Sequence, residues 1–168
     1  MYPEDSPRKR KKFVFHNSPK ERTKRNVVGI IAFDGEKFLL LHRVLNWKGW
    51  EYPKGGIDLG ENFEKTIGRE LLEETGIPKH ELVGKVDEYN FYDKVHNRDV
   101  FMQNFLVRVS SNNKINFDNQ AVENGKRIIE HDDFKWCFPA EAVKLLTHDN
   151  SKKSLRKAIK LLGIQAEK

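Results

Sequence analysis

The chain has one cysteine, Cys137, in 168 residues. That excludes an internal disulfide and a cysteine-rich zinc site. Phe134, Trp136 and Phe138 surround it in sequence, so a buried structural thiol is expected rather than a nucleophile. No apolar run approaches the roughly 20 residues that a membrane-spanning helix needs. The N-terminus is charged and polar, without a hydrophobic stretch of signal-peptide length. No internal repeat is visible. The expectation is one soluble, cytoplasmic, monomeric domain with no membrane partner and a core of ordinary size.

Charge is plentiful, and it is unevenly placed. Residues 1–25 hold nine basic side chains against three acids, which accounts for the entire net charge of +6. The remaining 22 bases and 22 acids cancel. The basic balance therefore describes a tail and not a folded surface. Residues 1–25 read as a basic extension and 26–168 as the domain. The run Pro7-Arg8-Lys9-Arg10-Lys11-Lys12 fits a nuclear localisation signal, a polyanion-binding arm that makes RNA a candidate partner, or a solvated terminus. Phe13 to Phe15 is a candidate edge strand.

Along the domain, Asn26 to Phe33 and Lys37 to Arg43 read as strands joined at Asp34-Gly35. A helix is expected from Glu61 or Asn62 to Gly76, with Phe63, Ile67, Leu71 and Leu72 as its apolar stripe and its glutamates exposed. Val83 to Tyr92 and Val100 to Val109 read as strands joined by a polar loop, Asp93 to Asp99. Ser110 to Asn124 reads as a surface excursion, and Phe134 to Phe138 as a short strand. Pro139 opens a helix through Leu146. Leu155, Ala158, Ile159 and Leu162 mark a terminal amphipathic helix ending near Gly163.

The most informative stretch is GGIDLGENFEKTIGRELLEETGI, residues 55–77. A helix turns once in about 3.6 residues, so Glu70 and Glu74 stack on one face with Glu73 beside them. Like charges so spaced oppose helix formation. Mg²⁺ prefers carboxylate oxygens and bridges to substrate phosphates, so a Mg²⁺ site for phosphate chemistry is the simplest reading, with Mn²⁺ able to substitute. Glu70 and Glu74 are candidate ligands, Glu73 a ligand or base, and Glu61 a partner through water or a second metal. Arg69 is expected to orient a glutamate by a charge-assisted hydrogen bond. Gly55 and Gly56 permit close backbone approach to a metal or phosphate. Lys54 is placed to contact phosphate. Glu130-His131 is the candidate for a base outside the stretch.

The same stretch resembles the Nudix hydrolase box, G-x5-E-x7-R-E-U-x-E-E-x-G-U with U apolar, at every specified position. The resemblance implies an α/β protein, a Nudix-type αβα sandwich with a mixed β-sheet between helices. It also implies an enzyme in which Glu70, Glu73, Glu74 and Gly55 bind metal.

Further features are similar to the asymmetric diadenosine tetraphosphate hydrolases within that family. They are Trp50-Glu51-Tyr52-Pro53-Lys54-Gly55, a tyrosine after the box (Tyr92), Glu130-His131 with Lys135-Trp136, Glu141-Ala142, and Thr147-His148-Asp149-Asn150-Ser151. This likeness implies hydrolysis of Ap4A, a small nucleotide polyphosphate, to ATP and AMP. Lys54 and Tyr92 would contact the phosphate chain, Tyr52 or Phe91 would stack on adenine, and His42 would join the substrate site. Glu130 would be an added metal ligand or base. Gly56 departs from that subgroup, where histidine is common. The Pro53-Lys54-Gly55-Gly56 sequence is also compatible with RNA 5′-pyrophosphohydrolases and diphosphoinositol polyphosphate hydrolases. A non-catalytic binding module of the same fold would be expected to lose box glutamates, and this chain keeps them.

Overall fold

The computed structural model describes residues 21–117 and 122–165. The Pro7–Lys12 run and the Phe13–Phe15 candidate strand lie outside the described residues. In chain order the elements are β1 (Thr23–Phe33), β2 (Phe38–Arg43), β3 (Gly49–Glu51), β4 (Lys54–Gly56), α1 (Phe63–Thr75), β5 (Glu81–Asp93), β6 (Arg98–Arg108), β7 (Val122–Glu123), β8 (Lys126–Arg127), β9 (His131–Cys137), α2 (Pro139–Leu145) and α3 (Asp149–Leu161).

One mixed sheet runs β3-β2-β1-β6-β5, with β4 also paired to β1 and β9 to β2. β1 lies parallel to β6 over its whole length, whereas its pairings with β2 and β4 are antiparallel. Successive side chains of a strand point to opposite faces, and β1 and β2 use both. Val28, Ile30, Ala32, Leu39 and Leu41 meet Ile67 and Leu71 of α1. Ile31, Phe33, Phe38 and Leu40 meet Leu155, Ala158 and Ile159 of α3 together with Ala142 of α2. Apolar residues on both faces require cover on both, and the αβα layering supplies it.

The β5–β6 hairpin is longer than the apolar pattern suggests. β5 starts at Glu81 and the connection shrinks to Lys94–Asn97, because Asp93 accepts hydrogen bonds from the Val95 and His96 amides and closes the turn. Cys137 is fully buried, and burial pushes its thiol up to about 11.

α1 carries the site. The Asn62 side chain accepts from the Lys65 amide at 2.9 Å and starts the helix. Gly76 stops it in the left-handed region at φ 76°, its amide donating to the Leu72 carbonyl at 3.0 Å. Two expectations need correcting. Leu72 faces solvent instead of joining the stripe, while Phe63 stacks on Phe105 at 4.8 Å. Glu70 and Glu74 are not exposed: they are 8% and 7% accessible. β4 and the turn leading into it cover that side of the helix, and the Lys54 amide donates to Glu74 Oε2 at 2.9 Å.

Candidate active site

Four carboxylates converge between α1, β3, β4 and the start of β9. Glu70 and Glu74 come from α1, Glu51 ends β3, and Glu130 directly precedes β9. Burial raises the Glu74 carboxyl well above the ordinary carboxylate range, and Glu130, Glu70 and Glu51 add to the rise while Lys54 opposes it. Burial likewise pushes Glu70 up to about 7 against the pull of Arg69, with Glu73 and Glu130 contributing. Among the described residues no cation lies within ion-pair distance of Glu74. Such concentrated and buried negative charge is costly unless compensated.

Gly55 is where the backbone must come close. A Cβ there would sit 1.8 Å from the Glu70 carboxylate. Arg69 holds the group from the other side. It donates to Glu70 at 2.7 Å, to Glu61 through both Nε and Nη2 at 2.9 Å, and to the Gly56 carbonyl at 2.9 Å. That hydrogen bond from Arg69 brings Glu61 down to about 2. Glu61 is thus tied to Arg69 and to the Thr66 hydroxyl at 2.9 Å. Glu73 reaches Arg69 only at 3.4 Å, with its carboxylate half-exposed.

Glu51 is the residue that sequence reasoning missed. It accepts from Arg43 at 2.9 Å, meets His131 Nε2 at 2.9 Å, and pairs with the Lys54 ammonium. Burial would raise its carboxyl, but Lys54, His131 and Arg43 together hold it far below the usual carboxylate range. Arg43 also donates to Glu130 at 2.5 Å. Ligand atoms of Glu51, Glu130 and His131 lie within 4.8 Å of one another, a set able to hold a divalent ion. No local spacing announces this cluster, because Arg43, Glu51 and His131 sit on three separate strands. The carboxylate-rich donor set with one imidazole suits a hard divalent cation, and the buried charge at Glu74 is what such an ion would neutralise.

Of the expected substrate residues, Lys54 reaches this cluster and Tyr52, His42, Tyr92 and Phe91 do not. Tyr52 is corrected: it is 4% exposed in the core against α2 and α3, with its hydroxyl donating to the Ser151 carbonyl, so it offers no face to a base. Lys54 directs its ammonium to Glu51. His42 alternates to the opposite side of β2 from Arg43, where it meets Asp132 at 2.6 Å and Trp50 at 5.1 Å. Tyr92 lies at the β5–β6 turn, donating to Asn97 at 2.8 Å under the Arg22 guanidinium, and Phe91 is half-exposed beside it.

The family model described as NUDIX domain matches residues 23–159. The RNA pyrophosphohydrolase of Sulfurovum sp. (strain NBC37-1) is 39% identical over 95 residues, 52% of this chain and 59% of that protein. The RNA pyrophosphohydrolase of Campylobacter jejuni subsp. jejuni serotype O:2 is 29% identical over 107 residues, 59% of this chain and 64% of that protein. The chain thus spans less than two thirds of the length of these curated relatives. Among solved structures, a C. elegans Ap4A hydrolase binary complex superposes with TM-score 0.69 at 22% identity, covering 83% of this chain and 98% of that one. The E. coli dihydroneopterin triphosphate pyrophosphohydrolase does so with TM-score 0.65 at 17% identity, covering 82% and 97%. At such identities the likeness is one of fold.

These findings overturn the expected kinship with diadenosine tetraphosphate hydrolases. Both of these curated relatives are RNA pyrophosphohydrolases. Three of the features that suggested the other subgroup serve packing: Tyr52 is core, Trp50 contacts His42, and Thr147 accepts the Trp50 amide at 2.8 Å.

Proposed function

Because this chain belongs to the Nudix family of hydrolases, we propose that the phosphoanhydride it hydrolyses is at the 5′-triphosphate end of RNA. Water forms a bond to phosphorus, an anhydride P–O bond breaks, and pyrophosphate leaves a 5′-monophosphate end. The observation that carries this reading is the 39% identity to an RNA pyrophosphohydrolase. The Pro53-Lys54-Gly55-Gly56 approach to the box is compatible with it.

Each group of the site has a role in this reading. Glu70 and Glu74 would hold Mg²⁺ with Glu130, and Glu51 and His131 border them. Gly55 lets the backbone approach the same place, and Glu73 stands at its rim. A bound divalent ion neutralises charge developing on phosphate oxygens and lowers the pKa of water. Arg69 is a positioning residue: it fixes Glu70 through one nitrogen and Glu61 through two others. Arg43 positions Glu130, the candidate base, by the 2.5 Å contact. Lys54 balances Glu51 and is the nearest ammonium for an incoming phosphate. Residues 1–25, as a basic extension, would add electrostatic affinity for RNA.

The test is product analysis with 5′-triphosphate RNA, Mg²⁺ and the full chain, alongside Glu74→Gln. Pyrophosphate and 5′-monophosphate RNA are expected, with a loss of about 100-fold or more in the variant, the scale of removing a group that acts on the reacting centre. Unprocessed RNA ends in a preparation that still binds Mg²⁺ would overturn the substrate.

A further inference from the structure

A cleft of about 360 Å³ lies beside the end of β4, lined by Lys24, Arg25 and Asn26 of β1, Asp58 and Leu59 of the loop before α1, and Arg98 of β6. That volume is within the range of small-ligand sites. Three cations line it against one acid, Asp58, and Asp58 is drawn towards Arg69 at 3.4 Å. Arg98 is shared with Asp93 at 2.9 Å, and Arg22 beside the cleft with Asp99 at 3.6 Å. Lys24 and Arg25 have no ion-pair partner among the described residues.

The cleft adjoins the acid cluster. Neighbouring residues of β4 face opposite ways: a Cβ at Gly55 would strike Glu70, and one at Gly56 would strike the Arg25 guanidinium at 2.1 Å. Arg69 joins the two by contacting both Glu70 and Asp58. The cleft's rim carries apolar and aromatic surface. Leu59 projects fully into solvent, and Tyr92 lies beside the cleft with the Arg22 guanidinium 4.5 Å from its ring centre. Cations that follow a backbone, with flat or apolar side chains alongside, are what single-stranded nucleic acid requires.

We propose that this cleft holds the phosphodiester backbone of single-stranded RNA downstream of the 5′ end whose anhydride is hydrolysed. The inference rests on the proposed substrate and adds a length requirement to it. An RNA end bound at the acid cluster passes the end of β4 and meets Lys24, Arg25 and Arg98. A substrate too short to cross β4 gains nothing from them.

The experiment compares the full chain with Lys24→Gln and with Lys79→Gln, which removes the same charge from a different surface, beside His80 and Glu81. Binding of a 5′-hydroxyl RNA of about ten nucleotides is measured against salt. KM is measured for triphosphate-ended RNA of that length and for a triphosphate-ended dinucleotide. Lys24→Gln should flatten the log–log salt slope by about 0.7, the value for one phosphate contact on a single strand. It should also raise KM several-fold for the longer RNA alone, and Lys79→Gln should do neither. Equal effects of the two variants, or an unchanged slope in Lys24→Gln, would overturn the cleft. If triphosphate-ended RNA is not hydrolysed at all, the proposed substrate fails, while binding of 5′-hydroxyl RNA still decides the cleft.

Discussion

Glu74 is a stability liability at the proposed metal site. Its carboxylate is buried, other carboxylates surround it, and among the described residues its hydrogen bond is from the Lys54 amide at 2.9 Å. Glutamine keeps the shape and a carbonyl acceptor for that amide while removing the charge. Metal-free Glu74→Gln is therefore expected to melt at or above the wild-type temperature and to lose most of the stabilisation that Mg²⁺ confers on the native chain. A thermal scan of both proteins with EDTA and with Mg²⁺ checks this. A variant that melts several degrees lower without metal would mean that the negative charge is already compensated. Gly55→Ala has a different signature. The added Cβ meets Glu70 at 1.8 Å, so the carboxylate must move. Mg²⁺ affinity measured by calorimetry should fall about 10–100-fold, as for loss of groups that orient ligands.

Helix α1 carries two opposing pressures. Its buried face, Ile67 and Leu71, is fully inaccessible and anchors it to the sheet. Leu71→Ala should cost about 2–5 kcal/mol in denaturant unfolding through lost burial and a residual cavity. Its acidic face pulls the other way, and the sign depends on pH. Glu70 has a folded pKa of about 7 against an ordinary 4.5, so the folded state binds this proton more tightly than the unfolded chain does. The stability it contributes is complete below about pH 4.5 and is lost as pH rises through about 7. Glu51 and Glu61 are held low, so their contribution is lost in the acid range below 4.5, and the windows do not overlap. The EDTA-treated protein should lose melting temperature between about pH 4.5 and pH 7, and Mg²⁺ should remove that decline by favouring the ionised form. A flat metal-free profile across this window would contradict the burial of Glu70.

The existence, caps and core stripe of α1 are legible because they rest on local spacing: Asn62, Gly76, and apolar residues at helical period. The burial of Glu70 and Glu74 is not. Acidic residues at the end of an amphipathic pattern read as solvent-facing, and only the pairing of β4 to β1 places backbone over them. Glu51 escapes for the same reason. It belongs to a three-residue strand, and its partners Arg43 and His131 arrive through β2 and β9. Tyr52 misleads because an aromatic before a glycine-rich turn looks available for stacking, whereas the following α3 turn encloses it.

At the scale of the molecule, charge is divided between a near-neutral catalytic body and a basic N-terminal segment. The carboxylates of the proposed site all lie between Glu51 and Glu130, and the family match begins at residue 23. Six of the nine bases of residues 1–25 precede Glu21. A chain starting at Glu21 should therefore hydrolyse a triphosphate-ended dinucleotide at the native kcat/KM while binding longer RNA more weakly. Because counterion release scales with the phosphates neutralised, the loss should be largest at low salt and shrink as salt rises, with a shallower log–log slope than the full chain. Titrations of both chains at several salt concentrations read this directly. Parallel slopes would assign the electrostatics to the domain alone and leave the basic segment without a part in RNA binding.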